Sequence, residues 1–85
     1  MHLERVTFEI QADNRADVLP RVVMLFHRLN VEVQALYMVR RPGSKTMRVN
    51  VTIEADQNGV SRLEANLYKV VQVRSVNTAR RMGAD

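Results

Sequence analysis

Apolar and polar positions alternate strictly near the start of the chain. Val6, Phe8, Ile10 and Ala12 fall on one side, and Arg5, Thr7, Glu9 and Gln11 on the other. Period two with one polar side predicts a half-buried strand. A polar break follows from Asp13 to Asp17, and the period then changes. Leu19, Val22, Val23, Phe26 and Leu29 recur at helical spacing, which predicts a helix over 18–29 with one apolar stripe. Asp17 is placed to cap it, its carboxylate accepting from first-turn amides. Pro20 then falls in the first turn, where its missing N–H costs no intrahelical bond. Asn30 stands where the stripe ends, and asparagine tolerates the left-handed conformation that closes many helices.

Alternation returns with Val31, Val33, Ala35, Tyr37 and Val39 set against Glu32 and Gln34. Leu36 and Met38 fall on the second side of this strand, so that side is not uniformly polar. An extra apolar patch on a sheet can mean a covered surface such as a subunit interface, which makes Leu36 and Met38 a candidate seam. Arg41-Pro42-Gly43-Ser44 supplies a turn. Met47, Val49, Val51, Ile53 and Ala55 then form a third strand, hairpin-paired with the second. Asp56 or Asn58 can cap a second helix, striped by Val60, Leu63, Leu67 and Val70. The Val-rich run 71–77 reads as a fourth strand. The order βαββαβ predicts an α+β ferredoxin-like sandwich, with two helices on one face of an antiparallel sheet. It spans residues 1–78, and 79–85 read as a polar tail.

Composition narrows the chemistry. The 85 residues carry 13 Lys and Arg against 9 Asp and Glu, a net charge of +4, with no cysteine. Thiol nucleophiles, disulfides and cysteine metal sites are thereby excluded. The segment 1–5 lacks the apolar run of a signal peptide, and no stretch approaches the roughly 18 apolar residues that cross a bilayer. A cytoplasmic protein without a membrane partner is expected. The basic excess sits in Arg40, Arg41, Lys45 and Arg48 and in Arg80 and Arg81. One loop and one tail fall short of the domain-wide basic surface of a nucleic-acid-binding module. The third strand also offers no aromatic on which bases could stack, and Phe8 and Tyr37 alternate in step with core positions. His2 and His27 lack an obvious catalytic partner, and Gly43, Gly59 and Gly83 are isolated rather than a phosphate loop. The expectation is a protein with no catalytic residues, no metal and no cofactor of its own.

The run from Ala12 through Asp13-Asn14-Arg15-Ala16-Asp17-Val18-Leu19-Pro20-Arg21-Val22 to Leu25-Phe26-His27-Arg28 resembles the opening of an ACT domain. It is most similar to the version in the small regulatory subunit of acetolactate synthase. That family shows Asn-x-x-Gly-x-Leu-x-Arg-Val after its first strand, then Leu-Phe with basic residues. The later run Leu63-Glu64-Ala65-Asn66-Leu67-Tyr68-Lys69-Val70-Val71-Gln72-Val73 also resembles that family's second helix and last strand. The resemblance covers about 6–77. It implies a homodimer formed side by side through the sheets, and a large thiamine-diphosphate-dependent catalytic subunit as the activated partner. It also implies a branched-chain amino acid, often valine, as effector. The ligand would lie between the loop Asn14, Arg15, Ala16, Asp17, Val18 and Leu19 of one chain and Asn30, Val31, Glu32 and Val33 of the other. Exposed amides at a helix start suit its carboxylate.

Two departures bear on sensing. The family's loop glycine is Asp17 here, and the asparagine opening its second strand is Glu32. An acid capping those amides and a second acid facing the ligand would both disfavour a carboxylate. The expectation is therefore an activating subunit with weak or absent valine feedback. The alternative is a free-standing ACT amino-acid sensor for another partner. For Asn14 the competing expectation is a turn residue bonded within its own loop.

Overall fold

The computed structural model describes residues 3–81. Its elements are β1 (Glu4–Asp13), α1 (Val18–Arg28), β2 (Val33–Val39), β3 (Thr46–Ala55), α2 (Gln57–Tyr68) and β4 (Val73–Arg81). The four strands form one antiparallel sheet in the order β2-β3-β1-β4. This is the ferredoxin-like sandwich that the apolar pattern requires. His2 and residues 82–85 of the expected tail lie outside the described residues.

Alternation places the core. Val6, Phe8, Ile10 and Ala12 of β1 face the helices beside Met47, Val49, Val51 and Ile53 of β3, all buried. Val18, Val22, Leu25 and Phe26 of α1 and Val60, Leu63 and Leu67 of α2 close over them. The rings of Phe8 and Phe26 meet edge to face, with centroids 5.8 Å apart and an interplanar angle of 79°. On the open face Thr7 and Thr52 share a hydroxyl hydrogen bond of 2.9 Å across β1 and β3. Tyr68 ties α2 to the outer strand: its hydroxyl donates to the Val76 carbonyl (3.1 Å) and accepts from the Val76 N–H (3.2 Å).

The helix ends differ from one another. Asn30 takes φ 61°, so α1 closes through the left-handed residue that its sequence offers. Asp56 caps α2, accepting from the Gly59 amide at 2.8 Å. Asp17 does not cap α1. Its backbone is itself helical (φ −84°, ψ −5°), whereas a capping residue is normally extended, as Asp56 is. Its carboxylate instead meets Arg15 at 3.4 Å and Arg21 at 3.6 Å. The two acids should therefore behave differently in chemical denaturation. Asp56→Ala should cost about 1 kcal/mol, the usual loss of a helix cap. Asp17→Ala, which removes only exposed ion pairs, should stay within about 0.5 kcal/mol. An equal loss at both positions would contradict the observed geometry.

Two strand readings are corrected. In β2 the register against β3 shifts between Val33 and Ala35, so a bulge at residue 34 reverses the phase of alternation. Leu36 and Met38 thus pair with Val51 and Val49 on the helix-side face, and Tyr37 pairs with Asn50 on the open face. Tyr37 is 66% exposed rather than packed in the core. β4 starts at Val73 instead of 71, because the Val73 amide bonds the Val70 carbonyl (3.0 Å) and makes residues 70–73 a turn. It then runs to Arg81, three residues beyond the expected end of the domain at 78.

Candidate functional site

The loop joining β1 to α1 is held by its neighbours. The Asn14 amide bonds the Lys45 carbonyl at 3.0 Å, and the Arg15 amide bonds Asp13 at 2.9 Å. The Asn14 side chain donates to the carbonyls of Ser44 (2.8 Å) and Arg41 (3.4 Å) and accepts from the Arg40 guanidinium. Asn14 is therefore not a turn residue bonded within its own loop. It laces the loop to the β2–β3 hairpin. Arg74 donates to Asp13 and holds the other side of the loop to β4.

Beside this knot a cleft of about 180 Å³ opens between the start of α1 and the end of β2. Arg15, Ala16, Leu19 and Pro20 line it from the loop and helix, and Met38, Arg40 and Met47 from the β2–β3 hairpin. Leu19, Met38 and Met47 give it an apolar wall, and Arg15 and Arg40 give it positive charge with no acid in the lining. With Asp17 turned toward Arg15 and Arg21, its carboxylate does not take the first-turn amides of α1. The Val18 N–H is taken by the Arg15 carbonyl at 3.2 Å, and Pro20 has none. The arrangement can therefore accept a small carboxylate with an aliphatic side chain through the Leu19 N–H, the helix dipole and two guanidinium groups.

The expected site residues divide into two groups. Arg15, Ala16 and Leu19 line the cleft, Asn14 and Asp17 lie in the same loop outside its lining, and the Val18 side chain is fully buried in the core. Asn30, Val31, Glu32 and Val33 stand at the far end of α1, a helix of eleven residues and so about 16 Å long. Val31 and Val33 pack against the core, and Glu32 is exposed. Within one chain the two groups do not meet. Met38, Arg40 and Met47 were missed as cleft residues because their proximity to the loop is set by the hairpin, 20 or more positions along the chain.

Among the described residues no group of three His, Cys, Asp or Glu side chains is placed to hold a metal, and His27 lies exposed in the last turn of α1. No described helix is long and apolar enough to cross a membrane. The outer strand β2 carries an apolar row at the rim of the cleft, with Leu36 41% and Met38 37% exposed.

No family model matches the sequence. Solved structures share its architecture. The ACT domain of a GTP pyrophosphokinase from Chlorobium tepidum superposes with a TM-score of 0.80 at 11% identity, over 92% of this chain and 100% of that one. The acetolactate synthase small subunit from Thermotoga maritima gives 0.75 at 19% identity, over 92% of this chain and 47% of that one. A homoserine dehydrogenase from Thiobacillus denitrificans gives 0.77 at 12% identity, over 93% and 17%. The chain spans less than half of the small subunit and a minor part of the dehydrogenase. The fold is that of an ACT domain.

Proposed function

We propose that this chain is a non-catalytic regulatory subunit that pairs with itself and activates the thiamine-diphosphate-dependent catalytic subunit of acetolactate synthase. The observation that carries the reading is the cleft itself: an aliphatic wall, two arginines and an uncapped helix start beside an exposed apolar strand edge. The ACT fold and the resemblance of segments 12–28 and 63–73 support the choice of partner.

Two chains joined along β2, with Leu36 and Met38 at the seam, would bring 30–33 of one toward 14–19 of the other. That pairing reunites the two groups that α1 separates within a single chain. A branched-chain amino acid at the seam would set its carboxylate on the start of α1 and its side chain against Leu19 and Met38. The expectation of blunted valine sensing relied in part on Asp17 occupying the first-turn amides. With Asp17 held by Arg15 and Arg21, Glu32 is left as the opposing charge.

The test is acetolactate formation by the catalytic subunit, with and without this protein, across a valine titration. Stimulation that valine reverses is the expected result, and Glu32→Gln should lower the valine needed by about threefold, the scale of one exposed charge. Stimulation that valine leaves untouched would keep the partner and remove the effector. No stimulation would leave the second reading, a free-standing ACT sensor for another enzyme.

A further inference from the structure

On the helix side, away from the cleft, a groove of about 420 Å³ runs between α1 and the turn joining α2 to β4. Leu25 of α1 lies buried at its floor, and Met24 of α1 and Val71 of the turn stand at its sides. Met24 is 56% exposed and Val71 89% exposed, although the core is complete without them. Arg28 and Lys69 stand along its rim beside Arg21, which already meets Asp17 at 3.6 Å, and no acidic side chain lines the groove. Arg28 and Lys69 sit at helix C-termini, where the dipole alone accounts for a positive charge. The dipole does not account for a methionine and a valine left in water between them.

We propose that this groove docks an acidic amphipathic helix belonging to a partner protein. Apolar side chains spaced at i and i+4 would fill the floor, and Asp or Glu beside them would meet Arg28 and Lys69. Charge selects this occupant. A second copy of the chain related by a two-fold axis would set the same cationic rim against itself. Met24 and Val71 project far enough to touch a lipid surface. Lipid would leave the space between α1 and the turn unfilled, whereas side chains of a docked helix can enter it. The groove lies on α1 and the α2–β4 turn, so docking there leaves the β2 edge free for self-pairing. The assignment rests on the regulatory reading only in needing a protein partner, whichever enzyme that is.

The test is display selection of a random 16-residue peptide library against the full-length protein, with phosphatidylserine vesicles as a parallel probe. Enriched peptides should carry apolar residues at i and i+4 flanked by Asp or Glu. Met24→Asp and Val71→Asp should each weaken the selected peptide by at least about tenfold, the scale of a buried interface anchor. Arg28→Glu with Lys69→Glu should weaken it and flatten its dependence on salt. These side chains are exposed, so the unfolding midpoints of the variants should match the parent. No enrichment, peptides that bind all variants equally, or vesicle binding in place of peptide binding would each overturn the proposal. Failure here leaves the acetolactate assay unaffected, and failure of that assay leaves this one intact.

Discussion

Phe8→Ala should bring the domain to the edge of unfolding. Phe8 is fully buried at the centre of the sheet and meets Phe26 edge to face. Truncating a buried phenylalanine costs about 3–5 kcal/mol, through lost transfer energy and the cavity left behind. The whole stability of a domain this size is of order 5–10 kcal/mol. With a urea dependence of about 1 kcal/mol per molar, the midpoint should fall by roughly 3 M. Circular dichroism across a urea titration reads this directly. A midpoint shift under about 1 M, the signature of a site that collapses onto the missing ring, would mean that β1 and α1 do not pack as described.

Asn14→Ala should produce the second largest loss, about 2–3 kcal/mol, by removing three hydrogen bonds worth about 0.5–1.5 kcal/mol each. The loss should be local before it is global. Hydrogen exchange at the amide of residue 14 should accelerate, because that amide bonds the Lys45 carbonyl across the gap that the side chain holds closed. Asn14→Asp should recover little of the stability. It keeps an acceptor for Arg40 but sets a carboxylate against the Ser44 and Arg41 carbonyls. Were Asn14 solely a ligand contact, both variants would keep the parent's stability and lose only their response to effector. The unfolding midpoint separates the two roles without any ligand in the tube.

The contrast between Asn14 and Asn30 marks what could be read from the chain alone. Asn30 acts through its own backbone at the end of an apolar stripe, so position and residue type sufficed to assign it. Asn14 acts on a hairpin about thirty residues away, and nothing in its local pattern points there. Asp56 and Asp17 divide in the same way. Both precede a helix, but only Asp56 is extended; Asp17 has arginines two positions before it and four positions after it that compete for its carboxylate. The core was legible because periods of two and 3.6 are local. The phase reversal in β2 was not, since a bulge shows only against the partner strand. Leu36 and Met38 were singled out correctly as unusual, yet they were assigned to the wrong face by that one extra residue. The cleft inherits the difficulty: three of its seven lining residues come from the β2–β3 hairpin, whose place beside the β1–α1 loop is a tertiary fact.

The hydroxyl of Tyr68 has a consequence for how copies of the chain can add to one another. A sheet of four strands has two margins, and contact between unlike margins would repeat without end, giving a filament. Tyr68 takes both the carbonyl and the N–H of Val76, so the β4 margin is blunted at its middle by a side chain from its own molecule. The β2 margin has no such stopper among the described residues. Growth from head to tail is therefore interrupted at one end, while like margins can still meet about a two-fold axis and close after a single step. One phenolic oxygen thus helps to separate a finite assembly from an unbounded one.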